Sequence, residues 1–183
     1  MVQSVSKSAS APQKWYAIRV TYRRELKVKE DLDSKGIENF VPMQYRLTMV
    51  HERRVKKLVP SINNLVFIHI STPDMVDYKK TTAMPIRYIM DHETHKPVIV
   101  PERQMENFIA VAGTYDEQLV YLDADPKQFT HGEHVRILGG PFEGAEGIFV
   151  RIKGDRRVVV MIEGVVAVAT AYIHPSLVEK IND

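Results

Sequence analysis

The chain has 183 residues, 44% apolar and 26% charged, a composition that supports a packed core and excludes wholesale disorder. Lys plus Arg number 25 against 23 for Asp plus Glu, so a uniformly basic coat for nucleic acid is excluded while a local basic face is not. The absence of cysteine removes disulfides, thiolate metal sites and cysteine nucleophiles, and suits a reducing compartment.

At roughly 100–200 residues per domain, this length fits one ordinary domain or two small ones. Residues 1–13 begin with a Ser/Ala-rich run that lacks the apolar segment of a secretory signal and read as a loose tail. Trp15 to Val20 reads as a first strand. From Arg24 to Lys35, Val28 and Leu32 fall four apart on one helix face, and Gly36 stands where a glycine ends a helix. Ile37 to Val41 reads as strand, stopped by Pro42. Tyr45 to Val59 alternates weakly around His51-Glu52 and carries Arg46, Arg53, Arg54, Lys56 and Lys57, the pattern of an exposed basic hairpin with its turn near 51–53.

Leu65 to Ile70 is a further strand. Thr72 begins a helix with Asp74 in its first turn and Lys79 and Lys80 in its last, a charge order that suits the helix dipole. Arg87 to Met90 is short and strand-like, and Pro101-Glu102 opens a helix to Ala112 with Met105, Phe108 and Ile109 as its apolar stripe. Interleaved strands and helices over residues 14–112 predict an α+β sandwich. Residues 113–128 are acidic and read as a linker. Residues 129–183 change character: Val135–Leu138, Gly147–Ile152, Arg157–Ile162 and Val165–Ala171 are β-branched runs separated by glycine turns, the spacing of a small all-β barrel.

Several pieces, in this order, resemble the NusG family of transcription elongation factors. Lys14-Trp15-Tyr16 opens the first domain as it does in family members, and Asn64-Leu65-Val66-Phe67-Ile68 matches a family strand. Pro85 to Ile89 and Pro97 to Phe108 match its later strand and last helix. A KOW motif is carried by Gly132, Val135, Arg136, Gly140, Pro141, Phe142, Gly144 and Gly147. The resemblance implies an NGN-type α/β sandwich followed by a KOW (SH3-like) barrel. Pro85 to Ile89, Met105-Glu106-Asn107-Phe108 and Gly154-Asp155-Arg156-Arg157-Val158 are most similar to UpxY-type paralogues, which act on capsular polysaccharide operons. Two departures stand out: Leu65 replaces the family's usual Tyr, and Glu163 replaces the late barrel aromatic that the housekeeping factor uses toward termination factor and ribosomal protein.

The resemblance implies a contact with the clamp helices of the largest RNA polymerase subunit through Ile62, Leu65 and Tyr88, with Ser71 and Thr72 near the opposite pincer. It also implies that Arg23, Arg24 and Lys27 face non-template DNA or a leader nucleic acid, with the hairpin residues Arg53 and Arg54 as a second basic surface. Strand aliphatics are by default core, and basic hairpin tips are by default solvated.

Phe142 reads as barrel core. The loop Gly139 to Gly147 lacks the Gly-Lys-Ser/Thr ending of a phosphate cradle. His92 and His95, and His131 and His134, sit three apart on loop-like segments without a third ligand at metal-site spacing. No catalytic motif appears, so neither an enzyme, a cofactor nor a metal is expected. The most apolar stretch, Val158 to Ile173, is broken by Glu163 and shorter than the roughly 20 residues that span a bilayer, so a cytoplasmic protein without membrane contact is expected, and a monomer is expected with it. The competing reading is a ribosome-associated or RNA-binding KOW protein. Arg136, Arg151, Lys153, Arg156, Arg157 and Lys180 face seven acids in that unit, Glu133, Glu143, Glu146, Asp155, Glu163, Glu179 and Asp183, a balance that disfavours autonomous binding to phosphate backbones.

Overall fold

The computed structural model describes residues 11–182; most of the expected tail lies outside them. The first unit runs β1 (Gln13–Val20), α1 (Glu25–Ser34), β2 (Asn39–Phe40), β3 (Met43–Val50), β4 (Arg53–Pro60), β5 (Leu65–Ser71), α2 (Thr72–Thr81), β6 (Ile86–Tyr88), β7 (Ile99–Val100) and α3 (Glu102–Ala112). Its antiparallel sheet has the order β2-β5-β1-β6, with β7 added beside the start of β1. Period-two alternation sorts the side chains to two faces. Trp15, Ala17, Leu65 and Phe67 join α3. Tyr16, Ile18, Val66 and Ile68 join Val28 and Leu32 of α1 and Met75 and Tyr78 of α2.

Helix ends follow from local chemistry. α1 closes with Gly36 in the left-handed region (φ 66°), the Gly36 amide donating to the Asp33 carbonyl and the Ile37 amide to the Leu32 carbonyl, each at 3.0 Å. Those two bonds satisfy carbonyls the helix leaves open. α2 starts at Ser71, whose Oγ accepts from the Asp74 amide at 3.3 Å, a capping geometry. The strand expected over 37–41 shrinks to Asn39–Phe40, paired with Ile68 and Phe67 of β5.

The second unit contains β8 (Val120–Leu122), β9 (Glu133–Ile137), β10 (Glu146–Ile152), β11 (Asp155–Ile162), β12 (Val166–Ala169) and β13 (Val178–Lys180). They form an antiparallel path β13-β9-β10-β11-β12-β8, open at both ends rather than closed into a ring. β8 lies inside the stretch read as linker; it occupies the edge of β12, with Tyr121 opposite Val168. A three-residue strand among acids has too little alternation to be read locally, and the exposed edge of β12 selects it. Gly147 permits the close approach of β10 and β11, because a Cβ there would come within 2.3 Å of the Val159 carbonyl oxygen.

The buried apolar cluster beneath α3 is continuous across the chain. It runs from Trp15 and Phe67 through Met105, Phe108 and Val111 to Val135, Ile137, Phe142, Val158 and Val168. The second unit is therefore packed on the first.

Candidate functional site

The candidate residues gather mainly where β1 ends and β5 begins. Leu65 opens β5 opposite Arg19 and is 1% exposed. Ile62, in the preceding turn, is half-buried and packs against the same cluster. These two share the α3 face of the sheet. Tyr88 lies on the opposite face: it pairs with Ile18, its ring centroid is 6.0 Å from that of Tyr16, and Lys79 Nζ stands 4.4 Å from its centre. Burial pushes the Tyr88 hydroxyl pKa up. Tyr16 also shares a 2.8 Å hydrogen bond with the exposed Thr72. The structure thus divides the candidates into Ile62 with Leu65 on one face and Tyr88 with Thr72 on the other. Ser71 is buried and occupied as the cap of α2.

Arg23, Arg24 and Lys27 are exposed in the loop after β1 and the first turn of α1. The loop is fixed to the turn before Leu65: the Arg23 amide donates to Asn64 Oδ1 at 3.1 Å, and the Val20 amide to the Asn64 carbonyl at 3.0 Å. The Asn64 amide in turn donates to Glu25 Oε1, on a side chain that is almost fully buried. Asn64 therefore joins the basic loop to the apolar Ile62/Leu65 position.

The hairpin β3-β4 stands as its own two-stranded sheet. Its His51-Glu52 turn has positive φ at both residues, the backbone of a turn whose twist suits a hairpin. Arg53 pairs with Val50 and Arg54 with Met49. Alternation puts Arg54 on one side with the exposed Leu47 and Met49, and Arg53 on the other. Lys56 lies 4.7 Å from the Tyr45 ring centre and pairs with Glu117, tying the hairpin to the segment before β8.

In the KOW segment Val135 and Phe142 are buried, while Arg136 turns outward to Glu146. Arg136 donates to Glu146 Oε1 from Nε at 2.9 Å and from Nη2 at 2.7 Å. Arg103 of α3 donates from Nε to Oε2 at 3.0 Å, and Asn107 Oδ1 accepts from the Glu146 amide at 3.0 Å. Glu146 thus links α3 to β10. The Arg136 hydrogen bonds, reinforced by Arg103 and opposed by burial, hold its carboxyl below the ordinary value of 4.5.

Because the folded-state pKa is depressed, the stability this link contributes is present above about pH 4.5 and is lost as pH falls through the lower folded-state value. Thermal midpoints measured between about pH 3 and pH 6 should fall more shallowly toward acid in Glu146→Gln than in the parent chain. Equal acid slopes would remove Glu146 from the link.

Three features escaped the reading of the sequence. The Arg103–Glu146 contact joins residues too distant in the chain for any spacing rule. Arg19 and Arg87 lie directly opposite each other across β1 and β6, both exposed, an arrangement that like-charge repulsion disfavours. Tyr22 projects into solvent at 81% exposure; it followed a recognised strand but carried no periodic signal. Among the described residues no group of His, Asp and Glu is placed to hold a metal ion, and no helix is long and apolar enough to cross a membrane.

A family model described as "Transcription termination factor nusG" matches residues 13–109. A solved structure titled "Domain interaction in Thermotoga maritima NusG" is similar at 23% identity with a TM-score of 0.46, covering 93% of this chain and 98% of that one. No curated protein matches.

Proposed function

The chain belongs to the NusG family of transcription factors, and on that premise we propose that it travels with RNA polymerase and suppresses pausing and termination. In this reading Ile62 and Leu65 grip the clamp helices of the largest subunit, Thr72 faces the opposite pincer, Tyr88, which lies on the sheet face away from Leu65, falls outside that grip, and the chemistry belongs to the polymerase. The observation that carries the reading is the apolar Ile62/Leu65 position tied through Asn64 to an exposed basic loop, a pairing that suits a partner presenting protein and nucleic acid side by side. Arg23, Arg24 and Lys27 then meet the non-template strand, and Arg53 and Arg54 of the hairpin meet nucleic acid beyond it. The narrower likeness to UpxY-type paralogues supports an operon-specific antiterminator for capsular polysaccharide genes in the cytoplasm.

Leu65 lies in a cluster that continues into the second unit, so full use of its side chain requires that packing to open. A partner shifts such an equilibrium only by its differential affinity for the open form. The exposed Glu163 puts a carboxylate where an aromatic anchor serves the housekeeping factor, and it alters the choice of partner for the second unit. In elongation assays with purified polymerase, on templates with and without a candidate leader, the chain should shorten pauses and raise read-through. Unchanged pausing on both templates would overturn the reading.

A further inference from the structure

We propose that the ring of Tyr22 is a stacking platform for an unpaired base of a single-stranded nucleic acid, with Arg23, Arg24 and Lys27 receiving the flanking phosphates. The inference deepens the nucleic-acid part of the proposed function and rests on it. Tyr22 is the most exposed large apolar side chain among the described residues, at 81%. Leaving such a ring in water forfeits the burial that makes aromatic residues core formers.

The loop that presents it is held in place. Tyr22 and Arg23 are both left-handed, with φ of 60° and 52°, a conformation that residues with a Cβ resist. The bonds from Val20 and Arg23 to Asn64, and from Asn64 to the buried Glu25, hold it there. A loop backbone fixed in advance loses little further freedom when a ligand arrives.

The surroundings choose the ligand. The Arg24 guanidinium carbon lies 5.6 Å from the Tyr22 ring centre, and the exposure of the ring leaves the rest of its surface open to a planar group. Arg23, Arg24 and Lys27 take part in no ion pair among the described residues, and the adjacent acid, Glu25, is buried against Asn64. A π-face beside unpaired cations matches a base with its phosphates. A duplex offers the phosphates but keeps its base faces stacked on one another. An acidic protein surface would use the cations and leave the ring idle.

The test is fluorescence anisotropy on the full chain with labelled DNA of about 12 nucleotides, RNA of the same sequence, and the corresponding DNA duplex. Tyr22→Ala should weaken single-strand binding by about 5- to 100-fold while Tyr22→Phe stays within about twofold. The salt slope should be unchanged in Tyr22→Ala and reduced by about 0.7 in Arg23→Ala. Ring dependence with either strand supports the site, and the strand with the larger loss identifies the source. The proposal is overturned if Tyr22→Ala binds like the parent, if Tyr22→Phe is as weak as Tyr22→Ala, or if the duplex shows the same ring dependence. Circular dichroism confirms that these surface variants remain folded. The assay contains no polymerase, so a ring-dependent result together with failed recruitment to polymerase rejects the elongation reading and leaves the stacking site standing.

Discussion

Phe108→Ala is expected to lower the thermal midpoint by about 6–20 °C, from a loss of about 3–5 kcal/mol at about 2–4 °C per kcal/mol for a chain of this size. Phe108 is fully buried on α3, edge-on to Phe40 at 6.1 Å and tilted against Phe67 at 5.7 Å. It belongs to the cluster that continues into Val135, Phe142 and Val158. Removing the ring therefore withdraws support from both units together. Calorimetry should show one cooperative transition in the parent chain and one, shifted down, in the variant. Two transitions, of which only one moves, would mean that the units are stable independently and that their shared core contributes little.

The second large effect concerns recruitment to polymerase. Leu65→Asp places a carboxylate at a position that is 1% exposed, and burying an unpaired charge costs of order 4 kcal/mol or more. That variant is expected to fold poorly, which makes lost recruitment ambiguous. Ile62 is half-buried in the same patch, so Ile62→Glu can keep its carboxylate in water while presenting a charge to the clamp helices. Loss of an apolar anchor of about 2 kcal/mol corresponds to about 30-fold in affinity. Ile62→Glu should therefore keep the parent's circular dichroism spectrum and lose co-purification with polymerase by at least that factor. Undiminished recruitment of the folded Ile62→Glu protein would move the contact elsewhere.

Much of this arrangement was legible because it is local. Val28 and Leu32 marked the buried face of α1, Gly36 its end, and Asp74, Lys79 and Lys80 the polarity of α2. The hairpin turn at His51-Glu52 followed from alternation and charge. Relationships between distant segments were not legible. Tyr88 and Leu65 fall on opposite faces of one sheet because β6 pairs with β1 in a register that no short window specifies. Val120–Leu122 becomes a strand only because β12 offers an edge. Glu146 reads as one acid in a glycine-rich loop until α3 brings Arg103 and Asn107 beside it. The exposed ring of Tyr22 depends on Asn64, far away in sequence, holding two residues in a left-handed backbone.

The proposed grip on polymerase lies at the turn between β4 and β5. A photo-activated cross-linker at position 62, in the full chain bound to purified elongation complexes, reads it directly. The expected product joins this chain to the clamp helices of the largest polymerase subunit and is lost on competition with unlabelled parent protein. Cross-links confined to ribosomal protein or free transcript, with none on the polymerase, would contradict the account.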